Sequence, residues 1–452
     1  MSHHKITADI FVLPAQGENI ILYAPLIGYV CTVNEGLVCF LNNLENLDEE
    51  KLTGAEKEIL NHLIAKKVID GAPQKDITSM PHKELSPNKL TLFPSSRCNA
   101  RCRYCYASNN SNYSKTMPWE IAKTAVEYFI ANLHKQNKDQ FVLEFHGGGE
   151  PFCAWKEVQT IVEYVEERCH QEKFQLEIVV STNGCLSERQ LQWIISHIHS
   201  LNISFDGLPQ IQNYHRPLSN GDASFPLIDA TMQYLDRQNY PYGIRCAVSN
   251  RNEKLLHETI DFITKTYRTK LIYLEPVSLC GIESWTADLQ PPDLSRFAET
   301  FLSLQPLCIE RGVQLEYSGA NFERRTRNFC YVGTDNFAVT PDGYLTNCWE
   351  VTDINHPFAE TFIFGRMYLD GRIEIDQEKL NNLQTFNVDH FSYCSDCFAK
   401  YHCAGDCAAR LGHKDFKGSR GGIRCETNRK LIANRIAQLA ESENCFQIEC
   451  QQ

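Results

Sequence analysis

The chain has 452 residues, 43% of them hydrophobic, enough for two or three domains or for one large α/β domain with appendages. A formal charge of −12 makes it a poor match for phosphate backbones, so no nucleic-acid partner is expected. No apolar run approaches a membrane span, and the opening MSHHKITADIF holds neither a long apolar core nor a small-residue cleavage site. The expected compartment is therefore the cytoplasm, with no membrane partner.

In chain order, residues 1–75 predict a small winged-helix-like module. ADIFVLP and ENIILYAPL are β-forming runs separated by the turn-like AQGEN, and EGLVCFLNNL and GAEKEILNHLIAKKVI carry helical periodicity. Residues 71–88 are polar and dotted with proline, as a linker is. Over residues 88–315, six strand-like segments (KLTLFPS, FVLEFH, LEIVVST, LNISFDG, YGIRCAVSN and KLIYLEPV) alternate with amphipathic stretches such as PWEIAKTAVEYFIANLH and AWKEVQTIVEYVEERCH. This pattern predicts an α/β fold, a parallel sheet with helices outside, as a partial (β/α)6 TIM-like barrel. Such barrels carry their chemistry at the C-terminal ends of the strands. Four polar segments follow strands here and are expected to share one mouth: a cysteine loop, GGGEP, STNG and SFDG. From 316 to 440 the strands shorten and cysteines become dense, which predicts a separate region built around something other than a large apolar core. A last helix is expected over about 425–440, and the tail NCFQIECQQ is expected to be loosely ordered.

Twenty cysteines are too many for a reducing compartment unless metal takes some of them, and ten stand in tight patterns. Cys98, Cys102 and Cys105 form C-x3-C-x2-C. Thiolates are soft ligands that select iron–sulfur clusters, zinc or copper(I), and a structural zinc site wants four ligands, normally as two pairs. A 4Fe–4S cluster held by three thiolates keeps one iron open, which makes the site reactive rather than closed. Further on, Cys330 and Cys348 bracket Gly343, and Cys394, Cys397, Cys403, Cys407 and Cys425 follow as C-x2-C-x5-C-x3-C-x17-C. Zinc competes for such pairs, yet seven cysteines do not divide into zinc tetrads. The scattered ten (Cys31, Cys39, Cys153, Cys169, Cys185, Cys246, Cys280, Cys308, Cys445 and Cys450) are expected to be buried small hydrophobes.

The first motif resembles that of the radical S-adenosylmethionine (radical SAM) enzymes. The second is similar, cysteine for cysteine, to the SPASM extension of radical SAM peptide and protein maturases, and together the resemblance covers roughly residues 88–430. It implies that S-adenosylmethionine chelates the open iron and is cleaved by one electron to a 5′-deoxyadenosyl radical. It implies Tyr104 near the adenine, Gly148 and Gly149 against the methionine moiety, and Glu150 as acceptor for its ammonium. Ser181, Asn183 and Ser204 would lie near the ribose, and Arg216 near the cofactor carboxylate. Two auxiliary clusters are implied, one on Cys394, Cys397, Cys403 and Cys425, the other on Cys330, Cys348 and Cys407. Relatives often place one more cysteine where this chain has Arg324. Either Cys308 or Cys280 completes that set, or an iron stays open to a substrate thiolate. A reducing partner such as flavodoxin or ferredoxin is implied as well.

For the substrate, the sulfatase-maturating branch carries Asp directly after the cysteine matching Cys348. Here Trp349 stands there, and the next residue, Glu350, is the candidate base. Glu275 ends the last barrel strand and is a candidate substrate contact. The N-terminal strands and helices resemble leader-binding elements of ribosomal peptide maturases, which take the leader as an added strand. The expected function is hydrogen abstraction from a ribosomally made precursor peptide to install a crosslink or other modification. Alternatives are a sulfatase-type protein maturase, a small-molecule radical SAM dehydrogenase, and a non-catalytic iron–sulfur electron carrier, which gives no reason for an open three-cysteine site.

Overall fold

The computed structural model describes residues 4–7, 9–15, 19–72, 85–107, 114–278, 288–334, 336–411, 424–441 and 445–446. Cys280, Cys450 and most of the linker lie outside these residues.

The chain opens with an antiparallel meander of β1 (Phe11–Pro14), β2 (Ile20–Ala24) and β3 (Tyr29–Val33). Helix α1 (Glu35–Asn42) starts at Asn34, whose side chain accepts from Leu37 N at 3.1 Å. Helix α2 (Gly54–Ala65) starts at a capping box between Thr53 and Glu56. Leu22, Val33, Leu37 and Leu63 close a small core of their own. The third strand was not foreseen in the sequence. Nor was a pairing at the chain's other end: Cys445–Phe446 lies parallel to β3, so part of the tail is ordered on this sheet.

Six strands then alternate with helices. They are β4 (Lys89–Leu92), β5 (Gln140–Phe145), β6 (Gln175–Thr182), β7 (Ser200–Ser204), β8 (Tyr242–Val248) and β9 (Leu271–Pro276), parallel and neighbouring in chain order. Between them run α3 (Trp119–Lys135), α4 (Trp155–Glu172), α5 (Glu188–His197), α6 (Phe225–Arg237) and α7 (Leu256–Thr266), and α8 (Leu294–Glu310) follows β9. The apolar stripe of α3, from Ile121 through Ala125 and Phe129 to Leu133, has the three-to-four spacing that faces a sheet. Strand residues alternate. Leu143 and Phe145 of β5 are buried under the helices, while Glu144 and His146 turn to the inner face. The same alternation gives the inner face Ser181, Asn202, Ser204, Arg245, Tyr273 and Glu275, all partly exposed. The lumen of this TIM-like partial barrel is therefore polar and open rather than filled with branched apolar side chains.

The cysteine-rich region is not separate from this sheet. Strand β10 (Gln314–Glu316) adds parallel to β9 at one edge. At the other, β11 (Asn336–Val339) pairs parallel with β4, and β12 (Tyr344–Thr346), β13 (Ile363–Met367) and β14 (Ile373–Ile375) continue antiparallel, making eleven strands. Phe337, Val339, Leu345 and Phe364 share one apolar cluster with Leu92 and Phe145. A large apolar core thus extends into residues that were expected to lack one. Helix α9 (Cys425–Glu441) packs on α8 and β3. Among the described residues no helix is long and apolar enough to cross a membrane.

Candidate active site and cysteine clusters

The loop after β4 carries the first three cysteines and is stitched to the segments after β7 and β5. Arg101 N donates to Pro217 O at 2.8 Å, Arg103 N to His215 O at 2.9 Å, and Glu150 N to Arg97 O at 2.8 Å. Cys98 opens to solvent at the mouth, yet enough protein surrounds its sulfur that desolvation pushes the thiol up to about 12. Burial does the same to Cys102. Two donors aim at the Cys98 sulfur, Ala100 N at 3.4 Å and Asn183 Nδ2 at 3.7 Å, and the Arg216 guanidinium reaches Cys102. Such donors favour the thiolate that metal requires, so the donor set fits an iron–sulfur cluster whose binding would displace the thiol protons. Among the described residues no three His, Cys, Asp or Glu side chains converge as they would on a single metal ion.

GGGEP forms the opposite wall. Gly147 and Gly148 have φ of +67° and +71°, and a Cβ on Gly149 would lie 2.3 Å from Arg97 O, so the loop closes on the cysteine segment only through glycine. Glu150 is 3% exposed and accepts from Thr182 Oγ1 at 2.7 Å, Asn183 N at 2.7 Å and Phe152 N at 3.3 Å. These three bonds leave its carboxyl one lone-pair position for an external donor. Burial pushes its pKa up to about 7, against the pull of those bonds. Ser181 and Ser204 lie half-buried on the inner faces of β6 and β7.

Asp206, two residues past β7, is fully buried and gathers residues that the sequence reading had assigned singly to the cofactor. It accepts from Tyr104 Oη at 2.6 Å, Arg216 Nε at 3.0 Å, Arg216 Nη2 at 3.2 Å and Ala247 N at 2.8 Å, and bonds His215 Nδ1 at 3.0 Å. The Arg216 charge and the hydrogen bond to His215 hold its carboxyl well below the usual range, outweighing burial. Tyr104 and Arg216 are thus fixed by a protein carboxylate at the cysteine loop. The sequence reading missed Asp206 and His215. The Asp-Gly of SFDG and the stretch NYHRP around Arg216 were the signals available.

In the lumen, Glu275 accepts from Ser318 N at 3.1 Å and Ser318 Oγ at 2.8 Å. Glu350 lies within electrostatic reach of Cys348 and of Tyr106, which follows Cys105. Glu144 binds Lys89 at 2.8 Å, and desolvation holds neighbouring His146 neutral, with a pKa of about 4.

Beyond β11 the cysteines fall into two sets. Cys394, Cys397, Cys403 and Cys425 line one cavity of about 260 Å³ with Tyr393 and Arg429. Cys407 lies within electrostatic reach of both Cys330 and Cys348, with Arg324 beside Cys330. Burial pushes Cys330 and Cys403 up to about 12. Cys330, Tyr331, Ala404 and Asp406 all have φ between +49° and +76°, strain that non-glycine residues bear mainly at functional turns. Asp406 clasps Arg424 through Arg424 Nε at 3.2 Å and Nη2, both side chains buried, which fixes the chain just before Cys407 and Cys425. Cys308 is 1% exposed in the main core, and burial pushes its thiol up to about 11. Among the scattered cysteines Cys31, Cys169 and Cys246 are buried as expected, but Cys39 is exposed, and Cys153 and Cys185 flank the Cys98 site.

Residues 92–263 match the family model of the Radical SAM superfamily. Over those residues the chain carries a Radical SAM superfamily domain, and its cysteine-rich region continues the sheet of that domain. Among curated proteins, it is 33% identical over 175 residues to an uncharacterised protein of Methanocaldococcus jannaschii, a match covering 38% of this chain and 57% of that one. It is 20% identical to a cysteine-type anaerobic sulfatase-maturating enzyme of Clostridium novyi, covering 76% and 94%. Among solved structures, its fold is shared by anSMEcpe with bound AdoMet and Cp18Cys peptide (16% identity, TM-score 0.61, 78% and 99% covered). It is shared also by Streptococcus suis SuiB bound to precursor peptide SuiA (15% identity, TM-score 0.52, 92% and 98% covered).

Proposed function

We propose that the chain is a maturase that takes hydrogen from a ribosomally synthesised peptide through a 5′-deoxyadenosyl radical and installs a crosslink or another post-translational modification. The observation that carries this reading is an open polar lumen whose Arg245 stands within electrostatic reach of Tyr106, beside the three-cysteine loop, and of Cys330 in the second cysteine region. On this reading Cys98, Cys102 and Cys105 hold the reactive 4Fe–4S cluster. Bound there with S-adenosylmethionine, the cluster supplies one-electron cleavage of a sulfonium.

The chain's own residues do the rest. Gly148 and Gly149 admit the methionine moiety, and Glu150 takes its ammonium on the remaining lone pair. Tyr104, Ser181, Asn183, Ser204 and Arg216 line the cofactor, the Asp206 network keeping Tyr104 and Arg216 in place. Cys394, Cys397, Cys403 and Cys425 hold one auxiliary cluster, and Cys330, Cys348 and Cys407 the other, with Arg324 leaving a ligand position for the substrate. Glu350 is the candidate base and Glu275 a candidate substrate contact. Residues 1–75 form a leader-binding module, 88–315 the radical SAM barrel and 316–440 the SPASM domain. Strand β1 ends the N-terminal sheet while Cys445–Phe446 occupies the opposite edge, so a leader would add at β1. Flavodoxin or ferredoxin would supply electrons in the cytoplasm.

Support comes from the neighbours bound to Cp18Cys and to SuiA, both peptides. A sulfatase-type protein maturase is the second reading, favoured by the 94% coverage of the Clostridium novyi enzyme and opposed by Trp349 in place of that branch's Asp. Anaerobic incubation of reconstituted enzyme with reductant, S-adenosylmethionine and either a short precursor peptide from any small reading frame beside its gene or a sulfatase peptide tests the two. The expected product is lighter by two hydrogens per crosslink. Modification of a sulfatase peptide instead supports the second reading, and modification of neither removes both.

A further inference from the structure

Strand β8 is buried along its length except at Arg245, whose side chain is 49% exposed. Alternation turns it to the lumen, in register with Ser204 of β7 and Tyr273 of β9, and its guanidinium lies 5.0 Å from the Tyr273 ring centroid. Glu275 approaches at 3.7 Å, beyond hydrogen-bond reach, and is already engaged by Ser318. Five fixed donors thus make no hydrogen bond among the described residues. The charge stands within electrostatic reach of Tyr106 and His146 on one side and Cys330 on the other. It therefore lies between the first cysteine loop and the second cysteine region. Close by, His146 Nδ1 and Trp349 Nε1 are buried without a hydrogen-bond partner, their rings 6.2 Å apart.

We infer that Arg245 anchors the substrate, and that the group it holds is a carboxylate of the peptide, either an acidic side chain or the C-terminus. This rests on the peptide reading above. A carboxylate matches the planar guanidinium fork with two oxygens, where a neutral carbonyl offers one. Glu275 does not forbid a second carboxylate. In this same chain Arg168 serves both Glu127, at 2.8 Å, and Glu172, at 3.0 Å. The rival role for Arg245 is to balance thiolate charge at Cys330, where Arg324 already stands.

The test measures equilibrium binding of capped pentaglycine peptides to anaerobically reconstituted holoenzyme with S-adenosylmethionine. Their central residue is Asp, Glu, Asn or Gln, and an all-glycine peptide ends in a free acid or an amide. The inference predicts that the Asp or Glu peptide, or the free-acid peptide, binds about tenfold or more tightly than its amide counterpart. Which of these does so identifies the source of the carboxylate. The preference should disappear in Arg245→Gln and survive in part in Arg245→Lys, with iron content equal to wild type. Equal binding of acids and amides by the wild type overturns the anchor and leaves the peptide reading standing. So does a preference that persists in Arg245→Gln while the auxiliary-cluster electron paramagnetic resonance signal shifts, which is the mark of a charge-balancing role. Binding of no peptide at all overturns the anchor, while the peptide reading is judged by the precursor incubation above.

Discussion

Asp206 shows how one buried carboxylate organises a reactive mouth. It fixes the aromatic side chain beside Cys105, the guanidinium over Cys102 and the backbone of β8 at once. Asp206→Asn would leave the Arg216 charge buried without its counter-charge, a loss of about 3–5 kcal/mol by analogy with broken buried pairs. Anaerobic urea denaturation should show a lower midpoint at an unchanged slope, and reconstituted iron should fall with it. His146 makes a pH prediction of definite sign. Its folded pKa of about 4 lies below the ordinary 6.5, so the unfolded chain takes up this proton first as the pH falls. Its contribution therefore lowers stability progressively from about pH 6.5 to about pH 4. In His146→Gln the slope of unfolding free energy against pH in that window should be smaller by up to one proton, and identical slopes would contradict the assignment. At this scale the sequence was partly legible. Spacing singled out the cysteines, but Asp206 was hidden because an Asp-Gly pair is also an ordinary turn.

The elements explain why glycine is required where the cysteine loop meets GGGEP. An alanine at position 149 would drive its Cβ against Arg97 O and the Ser96 carbonyl carbon, at 2.3 and 2.7 Å, both backbone atoms one or two residues from Cys98. Displacement of that loop by even an ångström misaligns a reaction that depends on approach. Gly149→Ala should therefore lower S-adenosylmethionine cleavage by about a hundredfold. Gly54→Ala is the control, since nothing lies within 4 Å of the added atom. Single-turnover yields of 5′-deoxyadenosine check both. The barrel strands β4 to β9 were legible because four to eight residues give enough alternation to read. Strand β10, QLE, is too short to show a period, and NFAV of β11 runs through three consecutive apolar residues without one, and with them went the fact that the sheet runs on into the cysteine-rich region.

Across the whole molecule, the N-terminal module is fastened to the cysteine-rich region. Tyr23 bonds His402 and stacks on it with ring centroids 6.1 Å apart, and Asp9 takes Lys400 at 3.0 Å and also Tyr401. These contacts fall on the stretch between Cys397 and Cys403, so a peptide docked on the first sheet would sit against the frame of the second cysteine set. Nothing in the local pattern of either segment announces this, because the partners are some 390 residues apart and their pairing is decided by the fold. The central claim concerns the first loop, and one measurement bears on it most directly. Anaerobically reconstituted protein, reductant and S-adenosylmethionine should yield 5′-deoxyadenosine, and the triple replacement of Cys98, Cys102 and Cys105 by alanine should abolish that yield while iron remains at the other sites. No 5′-deoxyadenosine from the wild type, or an undiminished yield from the triple variant, would contradict the account.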